Sequence, residues 1–357
     1  MRAGFSVALI DNSLEALLRP FTADALVPIA ARVQGAGRAT KPGAIGFIMA
    51  GNVAGAGIHE VAIALVAGAG IVVKTATAEP IFFEAFVRTL AEIDPTVAHC
   101  VAVLNWGRER TDLSGELLAN CDRVLAYGDD STIASLHAND KVLGFGSRVS
   151  AAVVAPSALA RPRIDAMAES LARDVVRFEQ LGCLSPHQII VVSPALGAPR
   201  EFAAALARAL EGLSESMPPA TLALRDACEI RTVRERARWR RIAGDSIELF
   251  EGPDLGWTLV CDSRVPADAS FAVSPGFRTA TVTAARDFDD VRCTIAAASR
   301  WIEAIAVAGD DAEIATLSAM LRQIGVPYVC APGEMQSPPL VWRHGGRSFL
   351  DLLLART

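Results

Sequence analysis

Of the seven cysteines in the chain (100, 121, 183, 228, 261, 293 and 330), Cys183 is set apart by its neighbours. It lies in "RFEQLGCLSPHQIIVV" (177–192), after Gly182, before a Ser185-Pro186 break and an Ile/Val run. A buried cysteine is usually an inert small hydrophobe. At the junction of a helix and a buried strand, however, it can expose its sulfur into a cleft, where nearby backbone N–H groups favour the thiolate, a nucleophile. Asn52 leaves a buried strand among the glycines of "AGNVAGAG" (50–57). Such an asparagine forms turns. Where glycines admit a substrate closely, its amide can also donate to a developing oxyanion, a contact worth about 3 to 4 kcal/mol. Lys74 closes "GAGIVVKT" (68–75), placed either to snorkel to water or to meet a ribose or phosphate at the carboxyl edge of a sheet.

These residues need elements to carry them. From residue 43, short Val/Ile-rich strands alternate with helices: strands around 43–51, 69–75, 99–104 and 122–128, helices after the "NVAGAG" turn and over 79–92 and 112–120. That rhythm predicts parallel βαβ units and an open sheet with ligands at the carboxyl ends of its strands. A second series begins near 150. It comprises strand "SAAVVAP", helix 161–182 delivering Cys183, strand "HQIIVVS", helices 199–217 and 225–241, and a hairpin turning on Gly252-Pro253-Asp254. Strands 279–284, 303–308 and 326–330, with helices 287–300 and 311–323, complete it. Two α/β lobes are therefore expected, divided near 147–155: residues 1–149, residues 150–330, and a tail 331–357 read as a docking or oligomerisation segment.

Composition narrows the chemistry. With 357 residues, 52% apolar and 21% charged, the chain can fill two cores. The 34 basic and 40 acidic residues give a net charge of −6, which disfavours nucleic-acid or anionic-membrane partners and favours a small-molecule substrate. No Cys-x-x-Cys pair and no ligand spacing among His59, His99, His137, His187 and His344 suggest a metal, and the scattered, odd-numbered cysteines suit the reducing cytoplasm. The longest apolar run, Val61 to Val73, is shorter than the roughly 20 residues of a bilayer helix. No signal peptide is expected. Gly-x-Gly-x-x-Gly is absent, so a nucleotide would be held in another way.

In order and spacing, Asn52, Lys74, Gly128 and Cys183 resemble the aldehyde dehydrogenase superfamily. Within it, "AGNVAGAG", "YGDDSTI" (127–133), "GFGSRVS" (144–150), "FEQLGCLSPHQIIV" (178–191) and "GEMQSPPLVWRHGG" (333–346) look like the LuxC-type fatty acyl-CoA reductases of bacterial luminescence systems. The resemblance implies an aldehyde-dehydrogenase-like α/β fold, with a Rossmann-like cofactor domain (1–149, about a hundred residues shorter than usual at its N-terminus) and a catalytic domain (150–330). It implies a thioester formed on Cys183, an oxyanion held by Asn52 and the Cys183 N–H, and hydride reduction of the acyl group to an aldehyde. A dinucleotide would be held by Lys74, Thr77, Gly128 and Ser131. The uncharged Thr77, where many NAD-preferring relatives carry glutamate, points to NADPH, with NADH the alternative. Oxidative relatives carry a water-activating glutamate where Phe145 stands, and no carboxylate occurs from Lys141 to Pro156. Two departures touch the cofactor: Asp129 replaces a common serine, and "AVSPG" (272–276) stands for a Glu-x-Phe-Gly-Pro segment. The implied partners are acyl-CoA, an acylated carrier or partner protein, an acyl-transferring enzyme, and further copies of the chain. The rival readings are an acyl-phosphate reductase or aldehyde dehydrogenase of the same fold, and a non-catalytic interaction subunit.

Overall fold

The computed structural model describes residues 4–36, 43–136, 139–195, 197–265 and 270–355; His137 lies outside them. Its contacts separate two α/β units. The first holds five parallel strands, β1 (Ala44–Ile48), β2 (Gly70–Thr75), β3 (Val101–Asn105), β4 (Arg123–Tyr127) and β5 (Val142–Phe145), in the order β3-β2-β1-β4-β5. Strand β1 is buried through Ile45, Gly46 and Phe47, as a strand covered on both faces must be. The order reverses between β1 and β4, and the crevice past the carboxyl ends of such a pair is where open α/β sheets take ligands. The Asn52 loop follows β1 and Gly128 follows β4.

The second unit is built on seven strands: β6 (Val149–Val154), β7 (Pro186–Val192), β8 (Ile247–Glu251), β9 (Thr258–Asp262), β10 (Thr279–Ala285), β11 (Ile302–Ala308) and β12 (Tyr328–Cys330). Their order is β12-β11-β6-β7-β10-β9-β8, all neighbours parallel except the β8/β9 hairpin. Every residue of β7 is buried, and its Ile190 and Val192 pack with Val153, Ile305 and Leu317 in one core.

The chain divides less simply than a cut near residue 150 suggests. The first unit runs from Leu17 to Ser147 and resumes at Pro339, while the second takes residues 4–16 together with Arg148–Pro338. Side-chain chemistry accounts for both excursions. Ser13 Oγ accepts the Phe178 N–H (3.0 Å) and Asn12 Oδ1 accepts from Arg177 Nε (3.0 Å), which ties the N-terminal segment to the second unit. The helix Phe349–Leu354 buries Phe349, Leu350 and Leu353, with Phe349 edge-on to Phe47 of β1 at 6.4 Å. Of the tail 331–357, expected as a docking or oligomerisation segment, the part from Pro339 onward thus belongs to the first unit. Three local expectations also change. The helix expected over 161–182 ends at Val176, strand 326–330 shortens to Tyr328–Cys330, and β5 with the helix Asp130–Leu136 was not anticipated. Elements of four and seven residues are too short to show a hydrophobic period.

Candidate active site

In the second unit, Cys183 is carried by an arch rather than by a helix end. After Val176, three consecutive residues, Phe178, Glu179 and Gln180, take left-handed conformations (φ 53°, 54° and 59°), which cost an L-residue about 1 to 2 kcal/mol each. Buried polar contacts hold them there. Glu179 pairs with Arg278, whose Nε donates to Glu179 Oε1 at 3.0 Å, and the Glu179 carbonyl accepts the Phe277 N–H at 2.7 Å. Burial pushes the Glu179 carboxyl up, and the guanidinium works against that push. The Gln180 amide spans the arch, donating to the Pro186 carbonyl and accepting the Thr279 N–H, each at 2.7 Å. An arch fixed at both feet presents the following turn in one position.

That turn closes through Ser185 N–H donating to the Gly182 carbonyl at 3.1 Å. Ser150 Oγ of β6 donates to the Cys183 carbonyl at 2.6 Å and accepts the Ala304 N–H at 2.9 Å, while Gln336 Nε2 donates to Ser185 Oγ at 2.9 Å. Cys183 itself is half-buried. The other cysteines differ. Cys121 and Cys261 are buried with their thiols pushed up, Cys261 to about 11; burial also raises Cys330 well above the usual range; Cys100, Cys228 and Cys293 are exposed. Four residues beyond Cys183, the His187 ring is buried and its Nδ1 accepts the Ser274 N–H at 3.1 Å. Desolvation lowers its pKa to about 4, so at neutral pH it is a neutral imidazole with the proton on Nε2. Gln188 Oε1 accepts the Ala272 N–H at 2.9 Å, so the "AVSPG" segment is fastened to the start of β7.

In the first unit, Asn52 is exposed on the loop after β1. Gly57, with φ +81°, starts the helix Ile58–Val66; a Cβ there would stand 3.1 Å from Met49 Sδ and Tyr127 Cε2. Lys74, near the end of β2, is half-buried; burial foremost and then the nearby Arg108 charge lower its pKa, against the opposing pull of the Glu109 carboxylate. Two cations at one strand edge suit a phosphate or phosphorylated ribose. Arg108, in "NWGRER" after β3, was not picked out from the sequence. Thr77 is exposed on the turn following β2, and Gly128 donates its N–H to the Phe145 carbonyl at 3.2 Å. Asp129 Oδ1 accepts from Thr132 N (2.7 Å) and Ser131 Oγ (2.8 Å); these bonds, the Thr132 backbone donor foremost, lower its pKa to about 2. The helix start that could receive a phosphate is thus capped by a carboxylate, with Ser131 committed to it. Asn52 and Gly128 stand beyond the ends of paired strands and Lys74 stands beside Arg108, while Cys183 belongs to the other unit. Among the described residues no group of carboxylate, cysteine and histidine side chains could hold a metal ion, and no helix is long and apolar enough to cross a membrane.

A five-stranded parallel sheet in this order, and a seven-stranded unit with a cysteine turn leading into its central strand, have the fold of the aldehyde dehydrogenases. The chain superposes on the aldehyde dehydrogenase of Brucella melitensis biovar abortus 2308 with a TM-score of 0.63 at 17% identity, covering 82% of this chain and 62% of that one. For the Mycobacterium tuberculosis aldehyde dehydrogenase complexed with NAD+ the TM-score is 0.59 at 16% identity, covering 82% and 62%. The family is narrower than the fold: residues 12–356 match the model of the acyl-CoA reductase (LuxC) family, and the chain belongs to it. Long-chain acyl-protein thioester reductase 2 of Photobacterium leiognathi is 25% identical over 156 residues, 42% of this chain and 32% of that protein. The long-chain acyl-protein thioester reductase of Vibrio harveyi is 22% identical over 230 residues, 62% of this chain and 46% of that protein. The matched stretches thus span less than half the length of these relatives.

Proposed function

We propose that the chain reduces an acyl thioester to an aldehyde with NADPH, through a covalent acyl group on Cys183. The observation that carries this reading is the seat of Cys183: a half-buried thiol on a turn fixed by Ser150, Gln180 and Gln336, in a chain whose other cysteines are exposed or have thiols raised by burial. In this reading the thiolate attacks the acyl carbonyl, the Asn52 amide and the Cys183 N–H hold the oxyanion, and the departing thiol takes up a proton. A nicotinamide dinucleotide, when bound, supplies the hydride. Lys74 and Arg108 supply positive charge for its phosphorylated ribose and Thr77 adds none of opposite sign, although the Glu109 carboxylate acts on Lys74 as well; the ionised Asp129 does not favour a phosphate at the helix it caps. The names of the relatives favour a long-chain acyl-protein donor and the family name an acyl-CoA donor; the reading adds an acyl-transferring partner in the cytoplasm and an oligomer of this chain.

Mass spectrometry of the protein after incubation with acyl-CoAs of graded length tests the reading. A thioester adduct on Cys183, discharged by NADPH with release of aldehyde, is the expected result. Parallel assays with acyl phosphate and with aldehyde plus NADP+ separate the reductase from the other chemistries of this fold. Thioester-dependent NADPH oxidation that survives Cys183→Ala would refute it.

A further inference from the structure

The segment "AVSPG" (272–276) has no role in the reading above, yet it brackets the Cys183 turn from both sides. On the side that precedes the cysteine, the Phe277 N–H donates to the Glu179 carbonyl at 2.7 Å. Gly276, at φ +83°, lies so close to Leu181 that a Cβ would stand 2.9 Å from its Cδ2. On the side that follows the cysteine, the Ala272 N–H donates to Gln188 Oε1 and Ser274 meets His187. Cys183 and His187, four residues apart in the chain, are thus joined a second time through one short segment, all of it within the second unit. His187 also has an irregular place on β7. Pro186 pairs with Ser150 and Gln188 with Ala151, so His187 is the extra residue of a bulge, a device that re-aims a side chain and recurs beside active sites. Its Nδ1 accepts the Ser274 N–H at 3.1 Å and stands 2.9 Å from Ser274 Oγ, which fixes the ring and leaves the proton on Nε2. The residue keeps only 9% of its surface exposed, and Nε2 has no partner among the described residues.

We propose that the Nε2–H of His187 donates to the carbonyl oxygen of the thioester that Cys183 attacks, a catalytic contact supplied by the same unit as the nucleophile. This rests on the proposed function. A histidine that only pinned the 272–276 segment would need Nδ1 alone. An N–H left unpaired inside a protein is costly, and a substrate oxygen satisfies it. The ring's neutrality selects the ligand: an uncharged imidazole suits a carbonyl oxygen that gains charge during the reaction, whereas a phosphate calls for a cation. Burial holds the ring in that neutral form, so it donates a hydrogen bond and transfers no proton. As the thiolate attacks, the new S–C bond forms, the carbonyl π pair moves onto oxygen, and the Nε2–H bond to that oxygen strengthens. When the pair returns to re-form C=O, the bond to the donor thiol breaks, and the departing sulfur keeps the electron pair and takes up a proton from water. His187 retains its own proton throughout, adding a donor to the Cys183 N–H and the Asn52 amide.

The test uses the full chain and compares two reactions of Cys183. One is acylation by a long-chain acyl-CoA, followed as the adduct by mass spectrometry; the other is alkylation by iodoacetamide, a displacement at saturated carbon in which no oxyanion forms. His187→Leu is expected to acylate about a hundredfold or more slowly while its alkylation stays within about twofold of the parent. His187→Gln, whose amide can accept the Ser274 N–H and still donate, should recover about tenfold or more of that loss. The proposal is overturned if a folded His187→Leu acylates within about threefold of the parent. It is equally overturned if acylation and alkylation fall together, the mark of a displaced thiol. Should His187→Leu fail to fold, as read from its melting temperature, the isosteric pair His187→Gln and His187→Glu carries the comparison. The carboxylate accepts from Ser274 but donates nothing, so slower acylation by the glutamate variant supports the proposal and equal acylation overturns it. Absence of a Cys183 adduct in the parent protein would refute the proposed function itself, whereas an adduct that forms regardless of residue 187 would refute only this assignment.

Discussion

Replacing Arg278 by methionine is the sharpest test of how Cys183 is held. The guanidinium is fully buried and donates to Glu179 Oε1 (3.0 Å from Nε) and to the Met217 carbonyl (2.9 Å from Nη1). Removing it leaves a carboxylate with 1% of its surface exposed and no countercharge, a defect that costs about 3 to 5 kcal/mol when one partner of a buried pair is deleted. For a unit of this size, with each kcal/mol worth about 2 to 4 °C, the melting temperature should fall by about 6 to 20 °C. Burial already pushes Glu179 up, and loss of the cation pushes it further. A group whose folded pKa exceeds its unfolded value favours folding most below the unfolded value and loses that contribution as pH rises. The deficit of Arg278→Met should therefore be smaller at pH 5 than at pH 8. Urea unfolding at both pH values, together with the rate of Cys183 alkylation by iodoacetamide, measures the two consequences. Replacing both partners by methionine should recover most of the stability, since a buried pair and an apolar pair of similar volume are close in free energy. A loss below about 1 kcal/mol for Arg278→Met, or a double variant no better than the single one, would refute the assignment of Glu179–Arg278 as the support of the arch.

Three further outcomes follow from named contacts. His187, lowered to about 4, contributes stability that is complete above its unfolded value near 6.5 and is lost as pH falls toward 4, up to about 1.4 kcal/mol per pH unit; His187→Gln should flatten that part of the denaturation profile relative to the parent. Asp174 acts in the opposite direction. It is raised to about 7 by burial although it accepts from the Gly333 and Met335 N–H groups, so its contribution is complete below about 4 and declines as pH climbs through 7, and Asp174→Asn should remove that decline. Gly57→Ala forces a Cβ onto Tyr127 and Met49 at φ +81° and should destabilise the first unit by about 1 to 2 kcal/mol or more, read from the thermal midpoint.

The strand–helix rhythm from residue 43 and the β8/β9 hairpin were legible because each is a local pattern: a run of Val and Ile, a glycine break, a Gly-Pro-Asp turn. The punctuation around Cys183 was legible for the same reason. The arch that carries it was not, since no local propensity puts Phe178, Glu179 and Gln180 in left-handed conformations. Residues about a hundred positions away, Arg278 and Thr279, stabilise them there. Arg108 escaped notice because a charged loop after a strand is ordinary until the fold sets it beside Lys74.

By itself the sequence determined two α/β lobes, the family resemblance, and the cysteine and glycine-loop asparagine that stand out from their neighbours, all of which depend on residues close together in the chain. Only the tertiary structure decided that the tail returns to the first unit, that Glu60 meets His344 across 284 positions, and that Ser150 reaches the carbonyl of Cys183. The reason is physical: a hydrogen bond or a stacked ring is set by distance in space, and sequence separation places almost no limit on it once burial has closed the intervening loops.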